Sequence, residues 1–322
     1  MKTSIVFFGT PEFALETLIN LKKEGQIDIR GVVSSPDKKS GRGLKIKESD
    51  VTAFARINNL PLLQPKDLRD PKFLEALSNW EADIFVVVAF KKLPETVWSV
   101  PKLGCFNIHA SLLPDYRGAA PIHWSIANGE TTTGVTSFLI NNVIDSGEIL
   151  LQKSVQIGPN ETLSSLYGRL KQVGSELAIE TIYSILGEKT KPKNQKLSKI
   201  VKKAPKIYSE FSHLELLSNI KDIHNRIRAC DMSPGASIPM LNGENGRIKL
   251  YNSKILNNLK TVSYNNNIKV KIEDNGVFLE QGSFVVEIHA IQWPGKRRMD
   301  TSNFLKGYRE RGYFSIFGKK IL

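Results

Sequence analysis

Residues 5–8 form an unbroken apolar run that stops at Gly9. Thr10, Pro11 and Glu12 follow, and they read as a helix start with Thr10 as N-cap and Pro11 in the first turn. Phe13, Leu15, Leu18, Ile19 and Leu21 then make up the apolar face of that helix. A second strand is predicted over residues 29–33, stopped by Ser35, Pro36 and Asp37. Residues 84–89 are apolar without a break, the pattern of a strand covered on both faces. Further strands are predicted at 105–109, 135–140 and 149–157. A long helix is predicted over 162–186, with Leu163, Leu166, Leu170, Val173 and Leu177 on its buried stripe and with Glu180 and Thr181 interrupting the stripe before Ile185. Strands and helices in this order predict an α/β fold, a doubly wound, Rossmann-like, mostly parallel sheet.

The pattern changes after Gly187. Lysine, proline and serine dominate to about Lys206, the composition of an interdomain linker. Residues 214–227 carry the spacing of one helix. From Ser237 onward short β-like runs, at 248–250, 268–272, 277–279 and 284–291, are parted by turn clusters rich in Asn and Gly. Short strands at this density predict a small OB-like β-barrel. The expected organisation is therefore a catalytic domain over 1–188, a basic linker over 189–206 and a C-terminal domain over 207–322.

Composition sharpens this division. A hydrophobic fraction of 41% and a charged fraction of 24% describe an ordinary globular chain, not a disordered one. The net charge is +13, and its placement matters more than its size. Residues 189–206 hold eight lysines and no acid; residues 290–322 carry a further net +6, so the rest of the chain sums to −1. Local excess of this kind suits either a solvated linker or a polyanion contact. The two cysteines, Cys105 and Cys230, have neither disulfide-framework nor metal-ligand spacing. The first apolar run is too short for a signal peptide and nothing later approaches a membrane span, so a reducing cytoplasm is the expected compartment.

The chemistry concentrates in residues 107–147. Asn107 and His109 are two apart, so on a strand they project from one face. They fall near the end of a predicted parallel strand, where open α/β sheets place their ligands. A carboxamide can donate to a developing oxyanion, and an imidazole can move a proton near neutral pH. Asp145 follows the next predicted strand and could orient His109 or manage its proton. Taken singly, an Asn beside a His is more often structural than catalytic. Gly9-Thr10-Pro11 lacks the glycines of a pyrophosphate turn, which argues against a nicotinamide cofactor despite the sheet type. Cys105, between Gly104 and Phe106, reads as buried and not nucleophilic. His123, His213, His224 and His289 have no ligand spacing, and Arg226 and Arg228 read as structural.

Together, Asn107-x-His109, Ser111-Leu112-Leu113-Pro114, Arg117-Gly118-Ala119-Ala120-Pro121, Gly134-Val135-Thr136 and Asp145-Ser146-Gly147 resemble the successive motifs of the 10-formyltetrahydrofolate-dependent formyltransferases. Phe8-Gly9-Thr10-Pro11, and Pro36-Asp37 with Gly41-Arg42-Gly43, are similar to the branch of that family acting on methionyl-tRNA. The resemblance covers roughly the whole chain and is strongest over 104–147. It implies formyl transfer from 10-formyltetrahydrofolate to the methionyl amine of initiator tRNA. Asn107 would stabilise the oxyanion, His109 would act as acid and base, and Asp145 would hold His109 or a water. Ser111, Leu112, Leu113 and Pro114 would line the folate site through backbone and shape. Arg42, Lys203 and Lys206 would contact tRNA. No metal is implied, and a monomer is expected. Residues 89–94 differ from the longer Tyr-Gly loop that many members carry near the pterin pocket.

Two other readings use the same residues: a formyltransferase acting on a nucleotide sugar or a glycinamide nucleotide, and an RNA-binding protein on a degenerate enzyme scaffold. Neither uses both the catalytic set and the basic segments. Arg42→Ala should weaken the use of charged tRNA, read as a raised KM for tRNA in a formylation assay. Unaltered tRNA kinetics would remove Arg42 from the interface.

Overall fold

The chain carries the predicted α/β order in its first half. In the computed structural model, which describes residues 2–40, 45–189, 191–196, 201–241, 245–257, 267–317 and 320–321, the elements begin with β1 (Thr3–Gly9), α1 (Glu12–Lys23), β2 (Ile27–Val33), β3 (Lys38–Ser40) and β4 (Lys45–Lys47). They continue with α2 (Asp50–Ile57), β5 (Leu62–Leu63), α3 (Pro71–Ser78), β6 (Ile84–Val88), α4 (Glu95–Trp98), β7 (Cys105–His109), α5 (Pro121–Ala127), β8 (Thr132–Leu139), β9 (Ile149–Gln156) and α6 (Leu163–Leu186). After two 3₁₀ turns come α7 (Ile220–Ala229), β10 (Ala236–Pro239), β11 (Arg247–Asn257), β12 (Lys269–Glu273), β13 (Gly276–Gln281), β14 (Phe284–Gln292), β15 (Met299–Asp300), α8 (Thr301–Gly307), β16 (Gly312–Ser315) and β17 (Lys320–Ile321). Two compact units result. The first comprises Met1–Gly118, Thr132–Val155 and Tyr167–Lys203; the second comprises Ala119–Thr131, Gln156–Leu166 and Ala204–Leu322.

The first unit is built on a seven-stranded sheet in the order β5-β2-β1-β6-β7-β8-β9. The strands from β5 to β7 run parallel, and β8 returns antiparallel to β7. The sheet is thus mostly parallel with a reversed edge. Every residue of β1 and β6 is buried, as expected of strands covered on both faces. The register pairs Gly9 with Val88 and Val88 with Ile108, so the carboxyl ends of β1, β6 and β7 lie side by side. The strand order turns between β2 and β6 at β1, which makes this edge the crevice where open α/β sheets bind ligands.

Several local expectations change. Pro11, not Thr10, is the N-cap of α1 and provides no side-chain cap. Thr10 instead pairs through Oγ1 with the Ser35 hydroxyl at 3.0 Å, tying the ends of β1 and β2 together. Thr181 does not break the buried stripe of α6: it is fully buried, its hydroxyl satisfied by the Leu177 carbonyl at 2.7 Å and the Ser137 hydroxyl at 2.8 Å. The single helix predicted over 214–227 is one 3₁₀ turn, Leu214–Leu216, followed by α7, because Asn219 caps the helix by accepting from the Lys221 amide at 2.8 Å.

The second unit carries an antiparallel sheet in the order β10-β11-β14-β13-β12-β16-β17, with β15 added alongside β14. A register shift between Ile255 and Asn257 marks a bulge in the long β11, a device for curling a sheet. Arg228, nearly buried, donates to the carbonyls of Gly158 (3.1 Å) and Glu161 (3.0 Å), and Arg226 stacks on Phe211 at 3.8 Å. Both arginines are therefore structural. Among the described residues no helix is long and apolar enough to cross a membrane.

His224 sits in this second unit between the Ser253 hydroxyl (2.9 Å) and the Pro159 carbonyl (3.0 Å), and burial pushes its imidazole down to about 4. A folded-state value below the ordinary 6.5 means that the unfolded chain takes up the proton first as pH falls. Stability should therefore be unaffected by this residue above about pH 6.5, fall between about 6.5 and 4, and lose about 3 kcal/mol in full. Denaturant unfolding followed across pH 4–7 should show this slope, reduced in His224→Gln.

Candidate active site

β7 ends the parallel run of the sheet, and its last residue is His109. The ring is buried, at 7% exposure, and its Nε2 lies 2.9 Å from the Tyr116 carbonyl oxygen. A carbonyl only accepts, so Nε2 carries the proton and donates, and Nδ1 of the neutral ring holds the lone pair. Nδ1 faces Asp145 Oδ2 at 3.8 Å, too far for a direct hydrogen bond and close enough for charge to be felt. Asp145 Oδ2 also accepts the Gly118 amide at 2.9 Å, so the oxygen facing the imidazole is held by the main chain. Asn107 lies two residues before His109 on the same strand face, is half-buried, and its carboxamide has no hydrogen-bond partner among the described residues. The arrangement thus offers an amide donor, a proton-accepting nitrogen and an anion beside it.

Two residues of the site occupy the left-handed region, Tyr116 at φ 61° and Asp145 at φ 53°. Such conformations in non-glycine residues persist where surrounding bonds over-determine them. At Tyr116 the turn aims the carbonyl at His109, and the Tyr116 amide donates to the Lys202 carbonyl at 2.7 Å. Lys202 in turn donates its amide to Asp115 Oδ1 at 3.0 Å.

The segment from Ser111 to Pro114 is held as a rigid loop by β8 and β9. Thr136, directly opposite His109 in the β7–β8 register, donates to the Ser111 carbonyl at 2.7 Å and accepts the Leu113 amide at 3.1 Å. Gln152 donates to Thr136 Oγ1 (2.9 Å) and to the Leu113 carbonyl (3.0 Å). Ser111 and Leu113 are buried, and the Ser111 hydroxyl is spent on the Asp115 carbonyl at 2.7 Å. These two residues set the loop's shape, while Leu112 and Pro114 remain half-buried.

The structure therefore gathers Asn107, His109, Asp145 and residues 111–114 at one sheet edge. Lys203 is exposed and forms a parallel bridge with Arg117. Lys206 is exposed and lies over the Tyr208 ring at 5.8 Å. Arg42 lies outside the described residues. Thr136 was visible in the sequence only as part of a motif, and Gln152 and Gln195 were not singled out at all. Gln195 reaches the site from the lysine-rich run, where nothing in its neighbours' composition marks it. Cys105, at the other end of β7 from His109, is buried and burial pushes its thiol well above the usual range, so it is no nucleophile.

A donor for a carbonyl oxygen and an adjacent proton-accepting nitrogen are what transfer of an acyl group to an amine requires, so the arrangement suits a group-transfer enzyme. Residues 1–182 match the formyl transferase family, and residues 206–309 match the formyl transferase C-terminal domain. The methionyl-tRNA formyltransferase of Bacteroides thetaiotaomicron is 38% identical over 95% of this chain and 95% of its own. That of Flavobacterium psychrophilum is also 38% identical, over 97% of this chain and 98% of its own. Among solved structures, WlaRD, a sugar 3N-formyl transferase crystallised in the presence of dTDP and 5-N-formyl-THF, shares the fold at a TM-score of 0.64 with 23% identity, covering 89% of this chain and 97% of that one. The chain belongs to the methionyl-tRNA formyltransferase family.

Gly147 shows how tightly the Asp145 loop is seated. A Cβ built there would lie 1.6 Å from the Leu139 carbonyl oxygen, which is backbone and cannot swing aside. Gly147→Ala should cost roughly 1–3 kcal/mol or more, read as a lowered denaturant midpoint, and should depress formyl transfer by displacing Asp145.

Proposed function

We propose that this chain transfers the formyl group of 10-formyltetrahydrofolate to the α-amine of methionyl initiator tRNA, with Asn107, His109 and Asp145 as its catalytic residues. The observation that carries the reading is the fixed tautomer of His109: with Nε2 committed to Tyr116, Nδ1 is the atom available to exchange protons. The unengaged Asn107 amide donates to the formyl oxygen as the amine attacks the formyl carbon and negative charge collects on that oxygen. Nδ1 takes the proton that the attacking amine loses. Asp145, 3.8 Å away, stabilises the imidazolium so formed. The proton then passes to N10 of the folate as the carbon–nitrogen bond breaks, so the amine ends as an amide and the carrier as tetrahydrofolate. The formyl donor is already activated and the amine is a competent nucleophile, so the steps written here use no metal.

The loop formed by Ser111, Leu112, Leu113 and Pro114 is the proposed wall of the folate site, contributing shape and the half-buried faces of Leu112 and Pro114. Val143 and Ile144, exposed immediately before Asp145, offer apolar surface to a flat ring. The tRNA surface is assigned to Arg42 with Lys203, Lys206 and the rest of the basic segment 189–206, between a catalytic region over 1–188 and a nucleic-acid-binding region over 207–322. The relatives' names and the local placement of the +14 charge support a tRNA-borne acceptor over a sugar amine.

Formylation of methionyl initiator tRNA at rising salt tests the whole reading. Asn107→Ala and His109→Ala should each remove most turnover, by about 100-fold or more, while leaving the fold intact by circular dichroism. The KM for tRNA should climb steeply with salt. Near-normal turnover in either variant would sink the catalytic assignment, and activity on an amino sugar without activity on charged tRNA would replace the acceptor.

A further inference from the structure

We propose that Gln195, within the basic segment, is a positioning residue that holds Asp145 beside His109. The inference rests on the catalytic role given to Asp145 above. Gln195 is half-buried, and its side-chain amide is fully used. Nε2 donates to the main-chain carbonyls of Asp145 at 3.0 Å and of Gly147 at 2.8 Å, gripping the loop on both sides of Ser146. Oε1 accepts from the Arg117 guanidinium, through Nε at 3.1 Å and a second nitrogen. Arg117 precedes Gly118, whose amide donates to Asp145 Oδ2. The bonds close a ring: Gln195 holds the Asp145 backbone, Gly118 holds its carboxylate, and Arg117 joins the two.

Two features give the ring its purpose. Asp145 has a left-handed backbone, which is held here from outside its own loop. Its carboxylate also stands off His109 Nδ1 by 3.8 Å with no direct bond between them, so the imidazole itself does not anchor it. Position must come from elsewhere, and Gln195 supplies it. The amide reaches the loop because Lys193, two residues earlier, exchanges a pair of main-chain hydrogen bonds with Ile149 at 2.8 and 2.9 Å. Only an amide both donates twice and accepts here. Glu would keep the Arg117 bond and lose the donors; Met would keep the volume and lose both.

Gln195→Met should lower kcat 10–100-fold, the cost of a misplaced catalytic group, with both KM values within about twofold and a folded far-UV circular dichroism spectrum. Gln195→Glu should lose as much, despite its stronger partner for Arg117, and serves if the Met variant melts early. The same changes made in Asp145→Asn and followed by single-turnover formylation should cost less than about twofold, because the carboxylate they position is gone. Full activity of either single variant, or losses that multiply in the Asp145→Asn background, would overturn the proposal. Full activity of Asp145→Asn alone would instead retire the catalytic role of Asp145.

Discussion

One hydrogen bond, from His109 Nε2 to the Tyr116 carbonyl, settles which nitrogen of the imidazole carries the proton and which keeps its lone pair free. Much of the first unit serves that bond. β7 delivers the ring to the carboxyl edge of the sheet, between a parallel neighbour and an antiparallel one. The turn through 111–116 brings the carbonyl back to it, and that turn is clamped by Thr136 and Gln152 from the adjoining strands. The left-handed Tyr116 is the cost of aiming a carbonyl at a residue only seven positions earlier. Each of these bonds is worth on the order of 1 kcal/mol net. Their joint effect is geometric: they fix a proton's location before any substrate arrives.

Much of this architecture is legible from pattern alone. The β7 boundaries were expected at 105–109 and occur there, because a run bounded by Gly104 and by a turn-rich segment leaves little choice. The two-residue spacing of Asn107 and His109 placed them on one face for the same reason. Other features escaped because tertiary partners decided them. Thr181 looked like a break in a helix stripe, yet a hydroxyl that bonds its own helix and Ser137 is cheap to bury. Thr10 had the chemistry of a cap and was used instead to join two strand ends. Residues 214–227 had helical spacing, but Asn219 prefers to start a helix over continuing one.

The site divided in a similar way. Asn107, His109 and Asp145 stood out in the sequence because their residue types suit such chemistry, and the fold brings His109 and Asp145 within 3.8 Å of one another. Gln195 and Gln152 did not, since what each contributes is hydrogen bonds, made across 39 to 50 positions of sequence to the main chain. A Gln amid eight lysines carries no compositional signal. Its position relative to Asp145 emerges only once Lys193 is paired with Ile149.

That pairing changes what the lysine-rich run is. Within the first unit it is stitched down at Lys193, at Gln195 and again at Lys202, where its main chain meets Asp115 and Tyr116. One anchor supports the carboxylate, the other supports the carbonyl that orients the imidazole. A segment with the composition of a linker thus does two jobs at once: its lysines bring the charge, while Lys193, Gln195 and Lys202 bring fixed points that brace the loops beside His109.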